Sequence, residues 1–166
     1  MQVTLLAIGT WGDVHPVVAL GAALQGTGRH TARLVAPDDF AALAQGAGLD
    51  FRPLGLRVRD LLRSPALRPF IAPGGSLLAG MRDLLRLLRP MLDRLMASTW
   101  EACQGAEAIV YSSLGLGAYH AAERLGVPAF WTMPFPNGRT RAFPSVAFPA
   151  LPLGGAYNAL THALGE

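Results

Sequence analysis

The stretch from Met1 to Pro16 constrains the chain most. Gln2-Val3-Thr4-Leu5-Leu6-Ala7-Ile8 is short, almost wholly apolar and cut off by Gly9. A run of that kind, bounded by glycine, reads as a strand buried on both faces. Gly9-Thr10-Trp11-Gly12-Asp13-Val14-His15 then reads as a loop, and Pro16 stands where the first turn of a helix favours proline. The helix is expected from Pro16 to about Gln25, with Val17, Leu20 and Leu24 on one face. Gly21, Ala22 and Ala23 let it pack closely, and Gly26 and Gly28 stop it.

The same alternation continues. His30 to Ala36 is a second strand ended by Pro37, and Asp38 or Asp39 is placed to cap a helix running to about Ala47. A third strand lies within Leu49 to Leu54. Short connections between alternating strands and helices imply a parallel sheet with right-handed crossovers. The expected class is therefore α/β, a Rossmann-like parallel sheet with helices on both faces. Residues Arg57 to Gly75, rich in proline and arginine, read as an irregular excursion with one helical turn. A long helix is expected from Ser76 to about Gln104, with Pro90 kinking or dividing it. Glu107 to Tyr111 is a fourth strand, Leu116 to Leu125 a helix capped by Ser112 or Ser113, and Val127 to Met133 a fifth strand. A proline-rich loop follows, then a helix from Ala156 to Leu164 that stops at Glu166 without cap or tail, as a chain cut short would.

Composition narrows the function classes. The chain has 166 residues, 51% hydrophobic and 15% charged, with a mean hydropathy of +0.32. That suits a single domain with a substantial core, and excludes a disordered chain. One cysteine, Cys103, excludes a disulfide framework and a zinc site built on several thiolates. All basic residues except histidine are arginine, so a P-loop lysine and a Schiff-base lysine are both excluded. The net charge of +3 is too small to argue for nucleic acid. No secretory leader or apolar membrane span is readable, so a cytoplasmic location is the expectation.

In open parallel sheets, ligands sit outside the carboxyl ends of the strands where strand order reverses. The first and fourth strands should be neighbours there. Their loops carry Asp13 and His15 on one side and Ser112 to Gly115 on the other. Asp13, at the positive end of a helix dipole, can hold its charge and accept a proton from a hydroxyl, or it can serve as an N-cap. His15 reads either as an assisting base or as a solvated loop residue. Ser112-Ser113-Leu114-Gly115-Leu116-Gly117 lacks the third glycine of a dinucleotide fingerprint, since His120 stands in that place. Arg139 and Arg141 flank Thr140 and suit a phosphate or a carboxylate, or simply the surface. The long helix carries Arg82, Arg86, Arg89 and Arg94 beside a wide leucine stripe. That pattern fits a domain helix, or a peripheral membrane contact.

Taken together, these residues resemble a family. Gly9-Thr10-Trp11-Gly12-Asp13-Val14-His15-Pro16 looks like the opening of GT-B glycosyltransferases with antibiotic and sterol acceptors. Gly48 to Leu54 and Ala106 to Ser112 are similar to that family's third and fourth strands. Thr132-Met133-Pro134-Phe135, Arg139-Thr140-Arg141-Ala142-Phe143-Pro144 and Gly154-Gly155-Ala156-Tyr157-Asn158 resemble the sterol glucosyltransferase branch. The resemblance implies one half of a GT-B fold: residues 1–166 as the N-terminal, acceptor-binding domain of family 28, without the C-terminal donor-binding domain. It implies Asp13 as catalytic base in inverting transfer from a donor such as UDP-glucose to a hydrophobic, hydroxylated acceptor. No metal or cofactor is implied. Thr10, Trp11, Gly12, Ser112, Ser113, Met133, Pro134, Phe135 and Arg141 are the expected acceptor contacts, with His15 assisting. The domain is expected to be inactive alone. A stand-alone nucleotide-binding domain and a membrane-associated interaction module are the alternatives.

Overall fold

Side chains of successive strand residues point to opposite faces of a sheet, and the first strand shows why this one is covered twice. Val3, Leu5 and Ala7 enter one apolar cluster, and Leu6 enters the other. The computed structural model describes residues 1–63, 77–112, 114–134, 136, 138–145 and 148–165, with the backbone alone at 61, 62, 77–88, 90, 116 and 165. It divides into two compact units, Met1–Thr132 and Met133–Glu166.

The first unit is a five-stranded sheet. Its strands are β1 (Gln2–Leu6), β2 (Thr31–Ala36), β3 (Asp50–Pro53), β4 (Ala108–Tyr111) and β5 (Ala129–Trp131). Their order is β3-β2-β1-β4-β5, and every neighbouring pair is parallel. Each strand is shorter than the sequence suggested: β1, β3 and β5 give up apolar residues at their ends to the turns, while β2 and β4 each lose only their first, polar residue, His30 and Glu107. Strand order reverses between β1 and β4, whose register runs Val3↔Ala108 to Leu6↔Tyr111.

Helix α1 spans Trp11–Gly26, so most of the expected loop is in fact its first turns, and Pro16 lies inside the helix. Its buried face is Val14, Val17, Val18 and Gly21, while Leu20 is exposed. The expected close packing falls to Gly21: a Cβ there would stand 2.7 Å from Leu5 Cδ1 and 3.0 Å from Leu49 Cδ1. A 3-10 turn at Asp38–Phe40 leads into α2 (Ala41–Gly46). Neither aspartate caps α2. Asp38 Oδ1 accepts the Gly55 N–H at 3.0 Å, and Asp39 Oδ2 accepts the Val58 N–H at 2.7 Å. They therefore tie the loop after β2 to the loop after β3 and to the start of α3 (Val58–Arg63).

On the other face lie α4 (Leu77–Cys103) and α5 (Leu116–Leu125). The assigned helix α4 runs through Pro90 without dividing. A Cβ on Gly117 would meet Met96 Sδ at 2.8 Å, so this glycine lets α5 approach α4. The Arg124 guanidinium stacks over the Trp100 ring at 5.0 Å. Arg33 closes the carboxyl end of α4: its Nη1 donates to the carbonyls of Ala102 (3.1 Å) and Gln104 (3.0 Å), and its Nε donates to Asp50 Oδ2 (2.8 Å). A cation belongs there, where the helix dipole is negative and the last carbonyls lack amide partners. Of the leucine stripe on α4, Met91 and Leu95 pack against the core while Leu92 and Met96 are exposed. Leu85 and Leu87 have side chains outside the described residues. Among the described residues, no helix is long and apolar enough to cross a membrane.

The second unit carries α6 (Gly154–Gly165) behind a proline-rich segment. Here amphipathicity is inverted. Asn158, Thr161 and His162 are buried, while Leu160 and Leu164 are exposed. The buried polar face holds backbone: Asn158 Nδ2 donates to the Arg141 carbonyl at 2.9 Å, the Ser145 N–H donates to Thr161 Oγ1 at 2.9 Å, and His162 Nε2 lies 3.2 Å from the Phe143 carbonyl.

Candidate functional site

β1 and β4 end side by side, and the segments that follow them are joined. The Ser112 N–H donates to the Leu6 carbonyl at 2.9 Å. The Ile8 N–H donates to Ser112 Oγ at 3.1 Å. The Gly115 N–H returns to the Ser112 carbonyl at 2.8 Å. Ser112 is thus a buried brace, 3% exposed, between the two loops at the switch point. Ser112 does not cap α5: the N-cap is Gly115, and a Cβ there would collide with Leu6 Cδ2. Ser113 and Phe135 lie outside the described residues.

Asp13 stands on the β1 side of this edge, in the first turn of α1. It is not the N-cap: Thr10 is, and Asp13 reaches back to it. Its Oδ2 accepts the Thr10 backbone N–H at 2.7 Å and the Thr10 hydroxyl at 3.1 Å. This is the carboxylate arm of a capping box, with aspartate in place of the more common glutamate. The helix dipole adds a favourable field for the negative charge. Oδ1 accepts no hydrogen bond among the described residues, and the side chain is half-buried. One oxygen is held by Thr10 and the other keeps its lone pairs uncommitted among the described residues, as a proton acceptor requires.

Gly9 makes room for that carboxylate. Its φ is +146°, a region that disfavours side chains. A Cβ there would lie 2.6 Å from Asp13 Cγ and 2.8 Å from Asp13 Cβ. Reading the sequence alone missed this pairing of Gly9 with Asp13, and also missed the helix start. The Thr10-x-x-Asp13 spacing was the available signal.

Trp11 and Gly12 occupy the exposed side of the same turn. The Trp11 ring stacks on His15 at a centroid distance of 5.8 Å and tilts against Phe40 at 5.9 Å. Trp11 is 60% exposed, whereas Phe40 is buried. His15 therefore buttresses an exposed indole in the same helical turn as Asp13. Thr10, Trp11, Gly12, Asp13, His15 and Ser112 are thus gathered at one edge of the first unit. Met133, Pro134 and Arg141 belong to the second unit, where Met133 is half-buried and the other two are exposed. Among the described residues, no three His, Cys, Asp or Glu side chains gather as a metal would require.

Comparison with known proteins agrees with this architecture. Residues 3–144 match the model for the glycosyltransferase family 28 N-terminal domain. The sterol 3-beta-glucosyltransferase of Candida albicans is 35% identical over 168 residues, 99% of this chain and 11% of that protein. That of Yarrowia lipolytica is 33% identical over 165 residues, again 99% and 11%. The chain thus spans about a tenth of the length of the curated relatives it matches. Among solved structures, the glycosyltransferase of kitacinnamycin superposes with a TM-score of 0.57 at 20% identity, covering 83% of this chain and 31% of that one. SnogD from Streptomyces nogalater superposes with a TM-score of 0.55 at 17% identity, covering 99% and 40%. These neighbours share the fold, one Rossmann-like half of the GT-B architecture. With its parallel switch-point sheet, and a family match over most of its length, the chain belongs to the glycosyltransferase family 28 N-terminal domains.

Proposed function

We propose that this chain is the acceptor-binding half of an inverting, UDP-sugar-dependent glycosyltransferase, with Asp13 as general base. The hexose passes to a hydroxyl of a hydrophobic acceptor, of which a sterol is the foremost candidate given the relatives' names. The observation that carries this reading is the half-buried Asp13 carboxylate at the switch-point edge, with Oδ2 engaged by Thr10 and no hydrogen bond to Oδ1 among the described residues.

In the reaction, Asp13 takes the proton as the acceptor oxygen attacks the anomeric carbon. The new glycosidic C–O bond forms while the bond to the nucleoside diphosphate breaks, and the diphosphate leaves with the electron pair. Positive charge builds on the sugar ring, as in glycoside hydrolysis. On the first unit, the exposed Trp11 face supplies apolar area for the acceptor, and the exposed Thr10 a polar contact. His15 acts through Trp11, by holding its ring. The donor is bound by a second, C-terminal domain, so this half alone transfers nothing. It needs no cofactor beyond the donor substrate, and it works in the cytoplasm, at a membrane surface where the acceptor is presented.

The test is transfer from UDP-glucose to a sterol by a protein joining this chain to a donor-binding half. Asp13→Asn should keep the Thr10 contact and lower kcat by about 10²–10⁴-fold, the usual worth of a positioned base. Transfer at the unsubstituted rate would overturn the role of Asp13.

A further inference from the structure

We infer that Phe40 is a positioning residue that fixes the Trp11 indole as a rigid platform, and thereby selects fused-ring alcohols over flexible chain alcohols as acceptors. For its ligand this rests on the acceptor role proposed above. Its geometry lies wholly within the first unit. Trp11 opens α1 and is 60% exposed. An indole so placed would turn among several rotamers if nothing held it. Two rings hold it. His15, four residues on, stacks with it at 5.8 Å and an interplanar angle of 29°. Phe40 tilts against it at 5.9 Å and 42°. The two restraints differ in kind. His15 is itself exposed and rides on the same helix, so it holds the indole only relative to α1. Phe40 is 5% exposed and packs in the core cluster with Val14, Val17 and Leu34, so it fixes the indole relative to the sheet.

The backbone that carries Phe40 is pinned by the segment after β3. The Phe40 N–H donates to the Pro37 carbonyl at 3.0 Å, closing the 3-10 turn. The Asp38 N–H donates to the Leu56 carbonyl at 2.8 Å, and Asp38 Oδ1 accepts the Gly55 N–H at 3.0 Å. Asp39 Oδ2 accepts the Val58 N–H at 2.7 Å, at the start of α3. Both aspartates that precede Phe40 are therefore committed to a neighbouring loop. Together they set where the ring stands. Phe40 carries the placement of the β3 loop across to the turn that holds Trp11 and Asp13.

Rigidity decides which ligand benefits. An indole that is already ordered loses little freedom when a ligand lands on it. A loose one must be ordered at that moment, which weakens binding by about two- to tenfold. The loss falls unequally on different acceptors. A fused-ring alcohol is flat and stiff, and it meets the full aromatic face only when the indole stands in one orientation. A chain alcohol bends, and it follows the indole from rotamer to rotamer. The ring of Phe40 adds an orientation preference that an aliphatic side chain lacks, because aromatic pairs favour offset or tilted contact. Leucine at position 40 would keep the core apolar and lose that contact.

The 166-residue chain is titrated with sodium cholate below its micelle concentration, as the fused-ring alcohol, and with 1-octanol as the chain alcohol. Binding is followed by NMR at the Trp11 indole N–H and at the Gly12 and Asp13 amides. Phe40→Leu should weaken cholate binding by about two- to tenfold and octanol binding by less than about twofold. In a Trp11→Ala background, Phe40→Leu should cause no further loss, since the platform is already gone. Asp39→Ala leaves both rings in place and removes the tie to Val58. It should move the Trp11 indole resonance and weaken cholate binding in the same direction. A purely structural Phe40 would lower the unfolding midpoint and leave the cholate affinity of the folded chain unchanged, which overturns the inference. Equal losses for cholate and octanol, or losses that add in the double variant, overturn it too. Where Phe40→Leu does not fold, Asp39→Ala decides, and an unmoved indole resonance with unchanged cholate affinity is the contrary result. A parent chain that binds no cholate at this turn overturns the acceptor reading itself, and the selectivity with it.

Discussion

Thr10 donates two hydrogen bonds to the same oxygen of Asp13, one from its backbone at 2.7 Å and one from its hydroxyl at 3.1 Å. The first residue of the capping pair therefore orients the second. Thr10→Val removes the hydroxyl and keeps the amide. It should lower stability by about 0.5–1.5 kcal/mol, the net worth of one hydrogen bond. In the joined enzyme it should also lower kcat, with less effect on KM. A change confined to KM would assign Thr10 to acceptor binding alone.

Gly9→Ala should be costlier than an ordinary loop substitution. The new Cβ meets the Asp13 carboxylate, and the φ of +146° disfavours any side chain. Destabilisation of about 1–3 kcal/mol is expected from the backbone alone. Denaturant unfolding measures it, and an unchanged midpoint would mean that the loop has another conformation in solution.

Ser112→Ala removes the acceptor for the Ile8 N–H and leaves that amide unpaired at a part-buried position. The cost should be about 1–3 kcal/mol. Hydrogen exchange at Ile8 should rise by more than at Leu5, in the middle of β1. Uniform acceleration across the sheet would mean that Ser112 does not brace this edge specifically.

Arg33→Met should strip α4 of its C-terminal cation and leave the Ala102 and Gln104 carbonyls without their guanidinium donor. A loss of about 1.5–3 kcal/mol is expected, since the bonds are charge-assisted and Arg33 is largely buried. Thermal unfolding of the variant checks this value. A loss no greater than for Arg52→Met, whose side chain is 54% exposed, would contradict it.

Burial pushes the Cys103 thiol from 9.0 up to about 11, with the Arg33 charge pulling partly the other way. The fold favours the protonated form, so its contribution is whole below about pH 9 and is lost as pH rises towards 11. Between those values stability should fall less steeply in Cys103→Ser than in the parent chain. At pH 8 a thiol reagent should react only as fast as the chain unfolds. Rapid labelling of the native chain would contradict this burial.

The order of elements was legible because glycine and proline punctuate apolar runs of clear length. Leu116 to Leu125 came out to the residue, since Gly126 adopts the left-handed conformation that ends a helix. The switch point followed from alternation alone, as parallel strands with short crossovers leave few strand orders. What failed was local. Pro16 drew the helix start five residues late, although the Thr10 carbonyl already accepts the Asp13 and Val14 amides and Asp13 reaches back to the Thr10 amide. Asp38 and Asp39 were assigned to their own helix, but their carboxylates serve amides at Gly55 and Val58, far along the chain. Long-range partners of that kind leave no trace in spacing. The role of Ser112 as a brace depends likewise on which loop lies beside it in the sheet.

The most direct measurement is a paired NMR titration of this chain, with UDP-glucose in one series and a water-soluble hydroxylated sterol in the other. The account predicts saturable sterol-dependent shifts at Trp11 and Asp13, and none at those residues with UDP-glucose. Saturable UDP-glucose binding at the Gly9–Asp13 turn, without sterol binding, would contradict it and make this half the nucleotide site.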